Sequence, residues 1–275
     1  KAASQLPYYP KIWKPNLLVS VYDPDHFSVI IPLIQAIVYP FGRMTVFKVL
    51  ADSAEKIRRQ ELRERLTQDI SPFREKGIFV KTSVVEAPEV FSGTITIMQT
   101  VNSMFFAPNT LFYMLEKKRE AAEDRGIIEE ASREGLGIIV LKYNEQTGFG
   151  QQNIVNLWIR RQSPNINLAI LVALQLEKNW RGQVRLIQVV EREEDRAEAS
   201  AYLERLKSIM RMSPDCDVEI LMGTFKNAIK RAPRADINIF GMGDAPDTAM
   251  IHEVAERIQT SVLFLRDSKH ESALA

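Results

Sequence analysis

Few residues of this 275-residue chain invite chemistry. Gly241-Met242-Gly243 follows a short apolar run, 237–240, that reads as a strand. At the carboxyl end of a strand in an open parallel sheet, a glycine turn can bring backbone N–H groups to a phosphate. The same G-x-G spacing serves a tight strand-to-helix turn, so both readings stand. Asp23 occupies the matching place after the first apolar run. The three histidines, His26, His252 and His270, fall at a helix start, on a helix and in the tail, without metal-ligand spacing. They read as surface or capping residues. Cys216 is the sole cysteine, which excludes an intrachain disulfide and a cysteine-based metal cluster. It reads as a small residue before a strand. There is no G-x-S-x-G elbow, no H-E-x-x-H and no G-x-x-x-x-G-K-[ST] loop. The run 191–196, Glu-Arg-Glu-Glu-Asp-Arg, reads as a mixed-charge helix start. The expectation is a protein that is not an enzyme, with no catalytic set, no metal and no cofactor.

Composition sets the frame for these residues. Hydrophobic residues make up 45% and charged residues 26%, which is globular. Lys+Arg at 36 against Asp+Glu at 35 leaves +1, so bulk charge does not drive nucleic-acid binding. The most apolar stretch, 27–41, is interrupted by Pro32, Gln35 and Pro40. It falls short of the roughly 20 apolar residues of a membrane-spanning helix. The chain opens on Lys1 without a signal-peptide pattern, which reads as a fragment of a longer protein or a processed one.

The elements alternate. Strands are expected at 16–21, 43–50, 78–85, 111–115 and 137–143. Between them, helices are expected at 26–39, over a long charged segment capped by Ser53 and carrying Ile57, Leu62 and Leu66, at 88–104 and at 117–133. The polar segment 144–152, with Gly148 and Gly150, reads as a linker. The order then repeats. Strands are expected at 154–160, 183–190, 217–222, 237–240 and 261–265. Helices are expected at 166–179 (opened by Ser163 and Pro164), 195–212, 226–232 and 248–259.

Strand–helix alternation implies a mostly parallel sheet covered on both faces. The predicted fold is therefore α/β, with two tandem five-stranded sheets. The first subdomain is placed at 15–143 and the second at 153–267, joined by 144–152, with a leading segment 1–14 and a tail 268–275.

Each half resembles the universal stress proteins in its element order. Nucleotide-binding members of that family carry G-x2-G-x9-G-[ST] after strand four and an Asp at the end of strand one. In the second half, Gly241 and Gly243 are one residue apart, Glu253 stands ten beyond Gly243, and the first strand ends in Arg160-Arg161. The first half has Asp23, but its fourth strand leads into Glu116-Lys117-Lys118 without a glycine. Neither half holds both parts, and a carboxylate there repels phosphates. The halves read as stress-protein-like units that have lost the nucleotide site. A stand-alone tandem nucleotide-binding sensor using Asp23, Gly241 and Gly243 is the alternative.

A second resemblance is more specific. Trp13-Lys14-Pro15-Asn16-Leu17-Leu18-Val19 resembles the opening of the cytosolic C-terminal domain of cation-chloride cotransporters. The run 154–159, with Trp158 at its centre, resembles that family's second-half opening, and 168–176 followed by Trp180 resembles the next helix. The resemblance implies a soluble regulatory and dimerisation domain on the cytoplasmic side of the cell membrane. It also implies membrane helices before Lys1 that move chloride with sodium or potassium. The expected partners are that membrane part of the same polypeptide and a second copy. The chain lacks the long phosphorylatable insertions of animal members and looks like a compact prokaryotic form. The segment 88–108 carries more apolar residues than one helix needs, and Met104, Phe105 and Phe106 are the candidates for a dimer contact.

Overall fold

A computed structural model describes residues 13–51, 58–116, 119–161, 163, 165–243, 247–268 and 270–273. The first half runs β1 (Asn16–Ser20), α1 (Pro24–Val38), β2 (Arg43–Leu50), α2 (Arg59–Asp69), α3 (Ser71–Glu75), β3 (Phe79–Glu86), α4 (Val90–Asn102), β4 (Thr110–Met114), α5 (Ala121–Arg133) and β5 (Gly137–Lys142). The second runs β6 (Ile154–Trp158), α6 (Asn167–Trp180), β7 (Gln183–Val190), a 3-10 turn (Glu193–Asp195), α7 (Arg196–Ile209), β8 (Asp217–Met222), α8 (Phe225–Ile229), β9 (Ile237–Gly241), α9 (Thr248–Ile258) and β10 (Ser261–Arg266).

The strands line up as β3-β2-β1-β4-β5-β10-β9-β6-β7-β8. Every neighbouring pair is parallel except β5 and β10, which run antiparallel with Val140 opposite Phe264. The two expected five-stranded units are both present, and they are joined edge to edge into one sheet of ten. The physical reason lies in the strands themselves. β5 (GIIVLK) and β10 (SVLFLR) are buried in all but their last residue. As free edges they would present unpaired backbone groups on apolar strands, and pairing them removes both edges.

Helices cover both faces. One layer holds α1, α2, α6 and α7 over Leu17, Val19, Leu157 and Leu186. The other holds α4, α5, α8 and α9 over Leu18, Tyr113, Val140 and Phe264. The halves also meet through helices, α1 against α6 and α5 against α9. Asn179 of α6 donates through Nδ2 to the Ala36 and Tyr39 carbonyls, at 2.6 and 2.9 Å, closing the C-terminus of α1 from the other half.

The segment 144–152 is pinned at its carboxyl end. The Asp236 carboxylate accepts from the backbone N–H groups of Gln151, Asn153 and Ile154 at 2.8–2.9 Å. Phe149 is buried, edge-on to Tyr143 at 5.4 Å. Gly150 sits at φ +51, and a β-carbon there would lie 2.0 Å from Asp236 Oδ1, so only glycine fits.

Several boundaries move. The charged helix of the first half is broken: α2 ends at Asp69, and Ser71–Glu75, with Pro72 at its start, forms a separate turn of helix. Ser53 and Ile57, offered as its cap and first apolar residue, lie outside the described residues, as do Lys117, Lys118 and Pro164. α5 starts at Ala121, and α6 starts at Asn167. No helix among the described residues is long and apolar enough to cross a membrane.

Phe264 lies at the seam, buried and stacked on Phe240 at 5.0 Å. Phe264→Ala is expected to lower unfolding free energy by about 3–5 kcal/mol. Urea unfolding followed by circular dichroism checks this; because the sheet is continuous, one shifted transition is expected.

Candidate functional site

In each half the strand order reverses between the first and fourth strands, and the crevice outside their carboxyl ends is where such sheets bind ligands. In the first half that crevice lies between β1 and β4. It holds a cavity of about 260 Å³ lined by Tyr22, Asp23, His26, Glu116, Lys142 and Tyr143. Its charged groups are largely engaged. Asp23 caps α1, its Oδ1 accepting from the Asp25 N–H at 2.9 Å. His26 Nδ1 lies 2.7 Å from Glu116 Oε2. Burial holds the Glu116 carboxyl above its ordinary value, and the bond to His26 opposes that shift.

Behind Tyr22 lies a buried ionic cluster. The Arg119 guanidinium sits 4.5 Å from the Tyr22 ring centre and 4.8 Å from that of Tyr113. It donates to the Tyr113 hydroxyl and lies 3.7 Å from Asp124 Oδ1. The Tyr113 O–H in turn donates to Asp124 at 2.5 Å. Burial pushes the Asp124 carboxyl up to about 6, against the pull of Arg119, His252 and Lys142. His252 comes from α9, so the second half contributes to the electrostatics of this cluster. Its own imidazole is held below the ordinary value by burial and by Lys142.

The second-half crevice, between β6 and β9, is filled by the chain itself. Asn165 donates through Nδ2 to the Met242 carbonyl at 2.6 Å and accepts from the Asp267 N–H at 3.3 Å. A β-carbon on Gly241 would approach the Asn165 carbonyl oxygen to 3.1 Å. Asp267 caps α6, accepting from the Asn167 and Leu168 N–H groups at 3.1 and 3.0 Å. Asp247 caps α9 through the Met250 N–H at 3.0 Å. Both helix N-termini thus already carry a carboxylate, which opposes a phosphate.

Asp23, Gly241 and Gly243 are not brought together. Because β5 and β10 are antiparallel, the carboxyl ends of the two halves point to opposite ends of the sheet. Met104, Phe105 and Phe106 lie in the loop before β4 and are exposed. Val90, Phe91, Ile95, Ile97 and Met98, from the same apolar segment, pack on the core. Cys216 precedes β8, buried, with its thiol pushed up to about 11 by that burial. Within the 191–196 run both arginines are paired, Arg192 with Asp195 at 2.9 Å and Arg196 with Glu193 at 3.3 Å, and the run keeps an excess of acid. Among the described residues, no group of three or more His, Cys, Asp or Glu converges as a metal site.

The Tyr113–Arg119–Asp124 cluster escaped the sequence reading. One signal pointed to it: Asp124 falls in helical register with the buried Ile127, Ile128 and Ala131. A carboxylate on the apolar face of a helix demands a buried partner.

Two family models match the chain. Residues 19–149 match the prokaryotic cation-chloride cotransporter C-terminal domain, 1st, and residues 150–274 match the 2nd. No curated protein matches. Among solved structures, the chain is similar to the cytoplasmic domain of a prokaryotic cation chloride cotransporter, at 27% identity and a TM-score of 0.83, covering 95% of this chain and 99% of that one. It is also similar in fold to a universal stress protein from Archaeoglobus fulgidus DSM 4304, at 14% identity and a TM-score of 0.60, covering 90% and 97%.

Asp124 binds its proton near pH 6 in the folded state but nearer the ordinary 3.8 when unfolded. Between those values the folded state holds more protons, so this group's contribution to stability grows as pH falls from about 6 to about 4. Asp124→Asn should remove that slope, worth of order 2–3 kcal/mol. Urea unfolding of both proteins at neutral and acid pH measures it.

Proposed function

This chain belongs to the prokaryotic cation-chloride cotransporter family, of which it carries both C-terminal domains, and we propose that it is the cytoplasmic regulatory and dimerisation domain of such a transporter. It acts beside a membrane-embedded part of the same polypeptide that moves chloride with sodium or potassium. It does so without catalysis of its own. The observation that carries this reading is the near-complete match to the cytoplasmic domain of a prokaryotic member, end to end and in both halves. The buried ionic groups fit a structural role: Arg119, Asp124 and Asp267 are spent on each other or on helix ends.

Two measurements test it. Sedimentation velocity across a concentration series should show a species of twice the chain mass. In the full transporter, removal of residues 15–267 should change chloride-dependent cation uptake into proteoliposomes; uptake at an unaltered rate would overturn the regulatory role.

The stand-alone nucleotide sensor has one feature in its favour, the cavity beside Asp23 at the first-half switch point. Its lining sets three carboxylates, Asp23, Glu116 and Glu145, against one lysine, Lys142, and His26, which bonds Glu116, a poor balance for a triphosphate. Calorimetric titration with ATP is therefore expected to give no saturable heat at millimolar ligand, and saturable binding would revive the sensor.

A further inference from the structure

The amino-terminal ends of β1 to β4 form one surface. The register aligns Asn16 with Arg43 and Arg43 with Phe79, and sets Leu17 beside Thr110. Hydrogen bonds tie the adjoining loops together. Asn109 donates through Nδ2 to the Lys14 carbonyl at 3.0 Å, and Asn16 donates to the Phe106 and Ala107 carbonyls at 3.1 and 2.8 Å.

Two properties coincide there. Phe41, Phe79, Met104, Phe105 and Phe106 are 59%, 54%, 55%, 94% and 60% exposed, five of the nine exposed large hydrophobic residues among those described. The segments that build the surface, 13–16, 39–43, 76–81 and 103–109, contain Lys14, Arg43, Lys76 and Lys81 and no Asp or Glu. All four cations are exposed. Two of them lie over the aromatic side chains, Arg43 at 4.7 Å from the Phe106 ring centre and Lys81 at 5.6 Å from that of Phe79. Acids border this rim: Glu75 closes α3, Glu134 accepts from Asn102 at 3.0 Å, and Glu271 of the tail lies against Gly137 at the start of β5. The opposite end of the same strands carries Asp23, Asp25, Glu86 and Glu116.

We propose that this end of the first half rests on an anionic phospholipid surface, with Phe105 and Phe106 entering the headgroup layer and the four cations paired with lipid phosphates. The inference rests on the cotransporter reading, which places a bilayer beside the domain. Aromatic rings ringed by Lys and Arg suit the membrane–water interface, where rings find an apolar layer and cations find anionic headgroups. A second copy suits it less. Two such surfaces meeting about a twofold axis would set four cations against four with no acid in the contacting segments. Self-pairing through Met104, Phe105 and Phe106 is the competing occupancy, which the experiment below separates from a lipid contact. β1 also enters the fold at this end, through Trp13 to Pro15.

Co-sedimentation of the 275-residue chain with vesicles tests this. One set is phosphatidylcholine alone, and the other contains about 30% phosphatidylglycerol. Binding is expected to the anionic set, falling as salt rises. Phe105→Ser and Arg43→Glu should each weaken it about tenfold. Their unfolding curves should be unchanged, because both side chains are exposed. Absence of binding to anionic vesicles overturns the proposal, as does equal, salt-independent binding to both sets. Phe105→Ser that dissociates a dimer while vesicle binding persists assigns the surface to a second copy and also overturns it. A chain that dimerises yet ignores anionic vesicles fails this proposal and leaves the regulatory reading standing.

Discussion

Either half of this chain, folded alone, would end on a strand buried along almost its whole length: β5 in the first half and β10 in the second. Such a strand cannot remain an edge, because its outward N–H and C=O groups would be unpaired beside apolar side chains. The antiparallel ladder between them answers both problems at once. It aligns Val140 with Phe264 and Ile139 with Leu265, and it brings α1 onto α6 and α5 onto α9. The rest of the geometry follows from the sign of that one pairing. An antiparallel joint turns the second half end for end. The two switch-point crevices then face opposite ends of the sheet, and no single ligand can bridge them.

Within that frame, several polar groups of the interior hold elements in place. Asp267 closes α6, Asp247 closes α9, and Asp23 closes α1. Asn165 occupies the ground beside Gly241 that a phosphate would need. Arg119 and Asp124 are too deeply placed to ionise freely without each other, and two tyrosines wrap the guanidinium. Charged groups in such positions are costly to bury and are retained only when each is paired. A stress-protein-like architecture is thus kept while one ligand crevice is occupied by Asn165 and the other is lined by carboxylates engaged with the chain's own groups.

The two ends of the first half differ in chemistry. The carboxyl ends of its strands gather acids paired with basic groups, as His26 with Glu116 and Arg59 with Glu86, while the amino ends gather Lys, Arg and unburied aromatic rings. No strand or helix needs Phe105 for packing, since Ile97, Met98 and Val101 already fill the core beneath α4. The surplus is a surface property, and its position at the entrance of β1 ties it to the side from which the chain enters.

Sequence alone determined the class of fold, the tandem repeat and most of the elements, because these depend on local periodicity and on runs such as GIIVLK that only a buried strand tolerates. It also determined the family resemblance, carried by Trp13, Pro15 and Trp158, which are packing residues in the structure; Trp158 stacks on Phe240 and donates to Asn238. The break after Asp69 was legible in Pro72, and a buried partner for Asp124 was legible in its register, although neither was read. The tertiary structure decided the rest. The joining of two sheets, the filling of the Gly241 crevice by Asn165, the Arg119–Asp124 pair and the gathering of four cations from three separate segments at one end all depend on contacts between distant residues. Periodicity reports which face of an element is apolar; it carries no information on which distant element that face, or that edge, will meet.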